Sequence, residues 1–115
     1  MGWVRVAAVL GACTVGLGAL GAHGLEERLE SAGRVGTWET ATFWMAIHVL
    51  ALLFLVGGSL AVRRWVPFVF VVGILLFSGS LFLLCLTGVT KWGAVTPLGG
   101  VAFLAGWIGV AFSKG

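Results

Sequence analysis

Two histidines and a glutamate, His23, His48 and Glu39, are the side chains of this 115-residue sequence best suited to chemistry. A neutral imidazole donates one hydrogen bond, accepts another and exchanges its proton near neutral pH. His23 lies in "GALGAHGL" (18–25) and His48 in "IHVLALL" (47–53), at the end of one apolar run and inside another. Ionisable groups at membrane depth are costly and are functional candidates for that reason. The three together suit a proton relay; the histidines with a glutamate or Cys85 suit a metal-ligand set. A quieter role is open to each histidine. His23 can bond a carbonyl at a helix end or reach the headgroup layer, and His48 can bond a carbonyl or hydroxyl on a facing helix. Metal ligands also need outer hydrogen-bond partners to orient them. None is visible in the spacing, so neither a metal nor a cofactor is expected.

Other chemistry is thinly represented. Cys13 and Cys85 sit in apolar runs without a CxxC or zinc-type spacing and read as free, buried thiols. There is no nucleophile–base pair, no phosphate-binding glycine loop and no metal motif. Ser78 and Ser80 would be near His48 only through packing. No catalytic residue and no enzymatic activity are expected.

The elements that must position these residues are hydrophobic throughout. Apolar residues make up 60% of the chain and charged ones 10%, with a mean hydropathy of +1.13. A soluble domain carries about a quarter charged residues, so much of this surface must face lipid. The net charge of +3 does not indicate nucleic acid, because the seven basic residues are scattered rather than gathered on one face. Apolar stretches at about 4–23, 39–62, 65–89 and 97–113 approach or exceed the roughly 20 residues that cross a ~30 Å hydrocarbon core. Alternating strands of a membrane barrel are absent from the pattern. The expected fold is an all-α integral membrane protein: a bundle of four transmembrane helices with a short interfacial amphipathic helix between the first two. "LGAC" at 10–13 loosely resembles a lipoprotein cleavage box, but the run before it is too short and continues past Cys13, so no cleavage is expected there.

Helix ends are marked. Thr96-Pro97 fits an N-cap and a first-turn proline, Pro67 falls in a first turn, Arg63-Arg64 forms a tight polar hinge, and residues 91–95 link the last two spans. In 24–38, Leu25, Leu29 and Ala32 share a helical face, Glu26, Glu27 and Glu30 turn away, and Gly33 ends the segment. Four spans put both termini on one side, with Arg5, Arg63, Arg64 and Lys114 facing Arg28, Arg34 and Lys91 on the other. The paired arginines in a short loop place that side, and both termini, in the cytoplasm of a bacterial inner membrane. Trp3 and Trp65 then mark the inner interface, Trp38 and Trp92 the outer one. Trp107 lies deeper, and its indole N–H needs a partner or a tilt toward the headgroups.

Small residues supply the packing. Lipid is as apolar as leucine, so close backbone approach drives association. Ala8, Ala12, Gly16 and Ala19 line one face of the first helix, and Thr14, Gly18 and Ala22 the next. Gly73, Ser80 and Thr87 fall seven apart on the third, and Ala102/Gly106 and Ala105/Gly109 are paired on the fourth. One compact bundle does not need so many, and the surplus points to a homo-oligomer or a larger membrane complex.

"GALGAHGL" (18–25), "IHVLALL" (47–53), "LFSGSLFLLCLTG" (76–88) and "TPLGGVAFLAGW" (96–107), in this order and spacing, resemble the YgdD/YwdK-like family of small membrane proteins, a domain of unknown function (423). The resemblance runs from about Gly16 to Trp107. It implies a polytopic membrane protein of this size, with relatives in animal mitochondria, and brings no catalytic residues. His23 and His48 match the family's phrases. Phe43 and Trp44 stand where members often carry further aromatic or histidine residues, which weakens a multi-histidine metal site. The expected function is a structural or accessory, self-associating membrane subunit. The alternative is a small proton-coupled transporter or channel using His48 with His23 and Glu39. Small multidrug transporters of similar size rely on a carboxylate in the first membrane helix, and this chain has none there.

Overall fold

The computed structural model describes residues 2–58 and 60–113, and in it the chain is helical almost throughout. The helices are α1 (Gly2–Ala19), α2 (Glu26–Ala32), α3 (Val35–Gly57), α4 (Trp65–Thr87) and α5 (Thr96–Ala111). A widened π turn, Leu20–Gly24, follows α1, and a 3-10 turn, Thr90–Ala94, precedes α5. Each 23-residue helix is about 35 Å long at 1.5 Å per residue, enough to cross the hydrocarbon layer. The 16 residues of α5 fall short alone; the preceding turn extends that segment to Thr90–Ala111. Four segments are thus long and apolar enough to span a bilayer, with the short α2 between the first two. Val15, Leu50, Phe54, Phe68, Leu75, Val101 and Leu104 point outward, as lipid-facing side chains should.

The long helices pack in the order α1, α3, α4, α5. The α4–α5 pair is the tightest, and its antiparallel register is set by glycines facing rings. An added Cβ at Gly73 would collide with the Phe103 ring, one at Gly106 would press on Phe70, and one at Gly109 would strike Trp65 and Val66. At Gly99 the obstacle is the Phe77 backbone itself. The small residues of α4 and α5 therefore act mainly as sockets for aromatic knobs. Ala102 and Ala105 are half-buried beside them. Ser80, also buried, donates to the Phe77 carbonyl at 2.9 Å and receives the Thr96 hydroxyl at 2.6 Å. Thr96 is thus not the N-cap that its place before Pro97 predicts: its hydroxyl crosses to α4, and Val95 takes the cap position without a side-chain bond. Thr87 donates its hydroxyl back to the Leu83 carbonyl one turn earlier on its own helix.

The end of the bundle at the start of α3 is closed by α2. Leu29 is buried, Leu25 half-buried and the three glutamates exposed, and Arg28 donates to the Leu86 carbonyl at the end of α4, 2.6 Å away. A cation there also meets the negative end of the helix dipole. Gly33, at φ +69°, ends α2 with bonds from its own N–H to Glu30 and from the Arg34 N–H to Leu29, the paired pattern of a left-handed glycine stop. The next residue but one opens α3, so the second span starts at Val35 rather than 39. It also stops at Gly57 rather than 62, because Gly58 turns extended (φ −97°, ψ −168°). The connection to α4 is therefore longer than an Arg63-Arg64 hinge; its Ser59, like Lys114, lies outside the described residues.

Helix α1 is held differently. Its one buried residue is Ala7. The face that meets α3 runs through Leu10, Gly11, Thr14, Leu17 and Gly18, all half-buried, while Ala8, Ala12, Gly16 and Ala19 are exposed. The predicted packing stripe of Ala12, Gly16 and Ala19 is thus left exposed rather than packed against a neighbouring helix. Replacing Gly99 by valine should lower stability by about 1–3 kcal/mol, since the Phe77 backbone cannot yield. Gly79→Ala, where a Cβ meets nothing within 4 Å, should be neutral. Thermal unfolding in mild detergent measures both.

Candidate functional site

His48 belongs to the buried stripe Ala41, Met45, His48, Leu52 and Leu55 on α3, spaced three and four apart so as to face one way. It is 1% exposed. Its Nδ1 lies 2.8 Å from the Trp44 carbonyl one turn back, and its Nε2 lies 3.0 Å from the Trp107 indole nitrogen. An indole N–H only donates. Nε2 is therefore the acceptor, and the proton sits on Nδ1, directed at Trp44. Both nitrogens are occupied by one neutral tautomer. The ring lies flat on Phe103 (centroids 3.6 Å, planes 7° apart) and is boxed by Phe70 and Trp44. Phe70 in turn meets Trp107 edge-on at 5.2 Å. This cluster ties α3 to α4 and α5. Trp107 finds in His48 the partner that its depth requires.

The remaining buried hydroxyls are also engaged. Ser78 donates to the Ala41 carbonyl at 2.7 Å, joining α4 to α3, and Ser80 bonds Thr96 as described. Among the described residues no buried side-chain nitrogen or oxygen lacks a partner.

His23 and Glu39 lie elsewhere. His23 is exposed in the π turn, and Glu39 is exposed in the second turn of α3. Among the described residues no three of His, Cys, Asp and Glu come together as metal ligands would. His23, His48 and Glu39 do not converge. Cys85 is buried, with its thiol 3.9 Å from the Arg34 carbonyl, and Cys13 is exposed on α1.

Glu39 does line a cleft of about 340 Å³ between the C-terminal end of α1 and the start of α3. Its organising residue is Trp38, 2% exposed. Trp38 is therefore not the interfacial anchor that its place near a helix end predicts. Its indole N–H donates to the Leu17 carbonyl at 2.8 Å, its ring fills the space over Gly21, where a Cβ would collide with it, and its other edge meets Phe82 at 4.6 Å. One side chain thus joins α1, α3 and α4. Glycine at 21 was readable in the sequence, but its partner was not.

The His48–Trp107 bond should behave as an interhelical hydrogen bond in lipid. A double-mutant cycle of His48→Phe and Trp107→Phe should give a coupling of about 0.6–1.7 kcal/mol, with each single variant destabilised. Unfolding in detergent or bicelles supplies the four stabilities.

Residues 17–100 match the model of a family described as "Protein of unknown function (DUF423)". The chain is 43% identical over 112 residues to a UPF0382 membrane protein of Staphylococcus saprophyticus, covering 91% of this chain and 92% of that one. It is 41% identical over 117 residues to the UPF0382 membrane protein YwdK of Bacillus subtilis, covering 91% and 92%. It is also 41% identical over 108 residues to the UPF0382 inner membrane protein YgdD of Escherichia coli K12, covering 88% and 79%. No solved structure matches. With a family match over most of its length and relatives at 41% and 43% identity matched over about nine-tenths of it, the chain belongs to the DUF423 (UPF0382) family of membrane proteins.

Proposed function

We propose that this protein is a noncatalytic accessory subunit of the bacterial inner membrane that self-associates through α1. The observation that carries the reading is the uncovered stripe of Ala8, Ala12, Gly16 and Ala19. The glycines at 73, 99, 106 and 109 each receive a neighbour, whereas Gly16 has nothing within 4 Å. Small residues four apart let a second helix approach closely in lipid. The absence of catalysis is inferred from the interior: His48, Ser78 and Ser80, the buried polar residues, are all engaged in joining helices. The same engagement argues against His48 as a proton carrier. The inner-membrane location follows the E. coli relative. Both termini are assigned to the cytoplasm, because Arg63 and Arg64 are exposed in the connection between α3 and α4 and basic loops stay inside.

Native mass spectrometry from mild detergent tests the reading. The wild type should appear as a dimer or higher oligomer, or with a bound partner protein. Gly16→Leu, an exposed change that leaves the fold melting as before, should shift it to monomer. A wild type that is wholly monomeric and co-purifies with nothing overturns the proposal. A reporter fused to the C terminus should be active only in its cytoplasmic form.

A further inference from the structure

The Glu39 cleft has a polarity that selects a ligand. We infer that it binds the ammonium headgroup of an aminolipid, with an acyl chain lying against α1 and α3. The hydrogen-bonding capacity left free on its wall side chains is all acceptor. The carboxylate of Glu39 accepts only. The Thr42 hydroxyl gives its proton to the Trp38 carbonyl at 2.9 Å, leaving its lone pairs free. The Trp38 indole N–H, the remaining side-chain donor on the wall, is held by the Leu17 carbonyl. Among the described residues no lysine, arginine or histidine lines the cleft. A phosphate or carboxylate would therefore find no free side-chain donor here, whereas a primary ammonium can donate to Glu39 and Thr42 together.

The shape agrees with a lipid rather than a soluble amine. Glu39 is in the second turn of α3, near the membrane surface, and Phe43 lies one turn deeper. Gly18 and Ala22 leave the α1 wall low, and Leu29 of α2 closes over the end. The polar group thus stands at the headgroup level with apolar surface below it, the orientation of a bilayer amphiphile. A quaternary amine carries the same charge but no N–H, so ethanolamine lipids should be preferred over choline lipids.

The protein reconstituted into vesicles of equal phosphatidylethanolamine, phosphatidylcholine and phosphatidylglycerol, then released for native mass spectrometry, gives the test. Retained lipid should be enriched in phosphatidylethanolamine by about two- to fivefold, the range of a partly exposed ion pair. Glu39→Gln should abolish the enrichment. Ala22→Phe, which fills the cleft from an exposed position, should reduce retention altogether, and both variants should keep the wild-type melting temperature. Retained lipid that mirrors the vesicle mixture, enrichment in phosphatidylglycerol, or full enrichment in Glu39→Gln overturns the inference. The oligomeric state of the wild type is read separately and does not depend on this result.

Discussion

Hydrocarbon offers no hydrogen bonds, so each polar group carried into it must find its partner within the protein. That constraint organises this fold. His48, Ser78, Ser80 and Trp38 each carry polarity into the interior, and each satisfies it by reaching another helix. The bonds are individually modest, but an unmet donor in lipid costs far more than a met one gains. Helices that would otherwise slide freely in an oily medium are therefore fixed in register at four points. Shape supplies the rest: Phe70, Phe77 and Phe103 occupy gaps left by glycines on the facing helix.

The two levels of the molecule use the same device with different residues. Near the end closed by α2, Trp38 joins α1, α3 and α4 through one hydrogen bond, one glycine socket and one edge-on ring. Deeper, His48 joins α3 to α5 through Trp107 and to α4 through Phe70. In each case an aromatic ring with one polar edge brings apolar area and a directional bond together. Such a side chain can specify a single helix arrangement where apolar contact alone is permissive. A histidine in this position is a structural joint, and its two nitrogens are occupied for that reason.

Much of this was legible in the residues. The four apolar runs, the amphipathic face of Leu25 and Leu29, the stop at Gly33 and the need of Trp107 for a partner all follow from local pattern. What was not legible depended on contrast that the sequence lacks. Small residues surround α1 on every side, so composition could not tell the face that meets α3 from the face left bare. That choice is made by Trp38, a residue of another helix, which requires Gly21 and the Leu17 carbonyl. Thr96 shows the same limit. A threonine before a proline reads locally as a cap, yet Ser80 on the neighbouring helix takes its hydroxyl. The early end of α3 was masked because Leu60, Ala61 and Val62 continue the apolar run past Gly57-Gly58, and hydropathy does not register a change of backbone direction.

The helices are unequally attached. Helices α3, α4 and α5 share buried rings and buried hydroxyls, while α1 buries only Ala7 and leans on α3 through small residues and the Trp38 bond. The least anchored helix therefore both walls the Glu39 cleft and carries the uncovered stripe. The proposed contact at the stripe and the proposed occupancy of the cleft thus both fall on α1, the helix that the interior polar bond between α3 and α5 does not include.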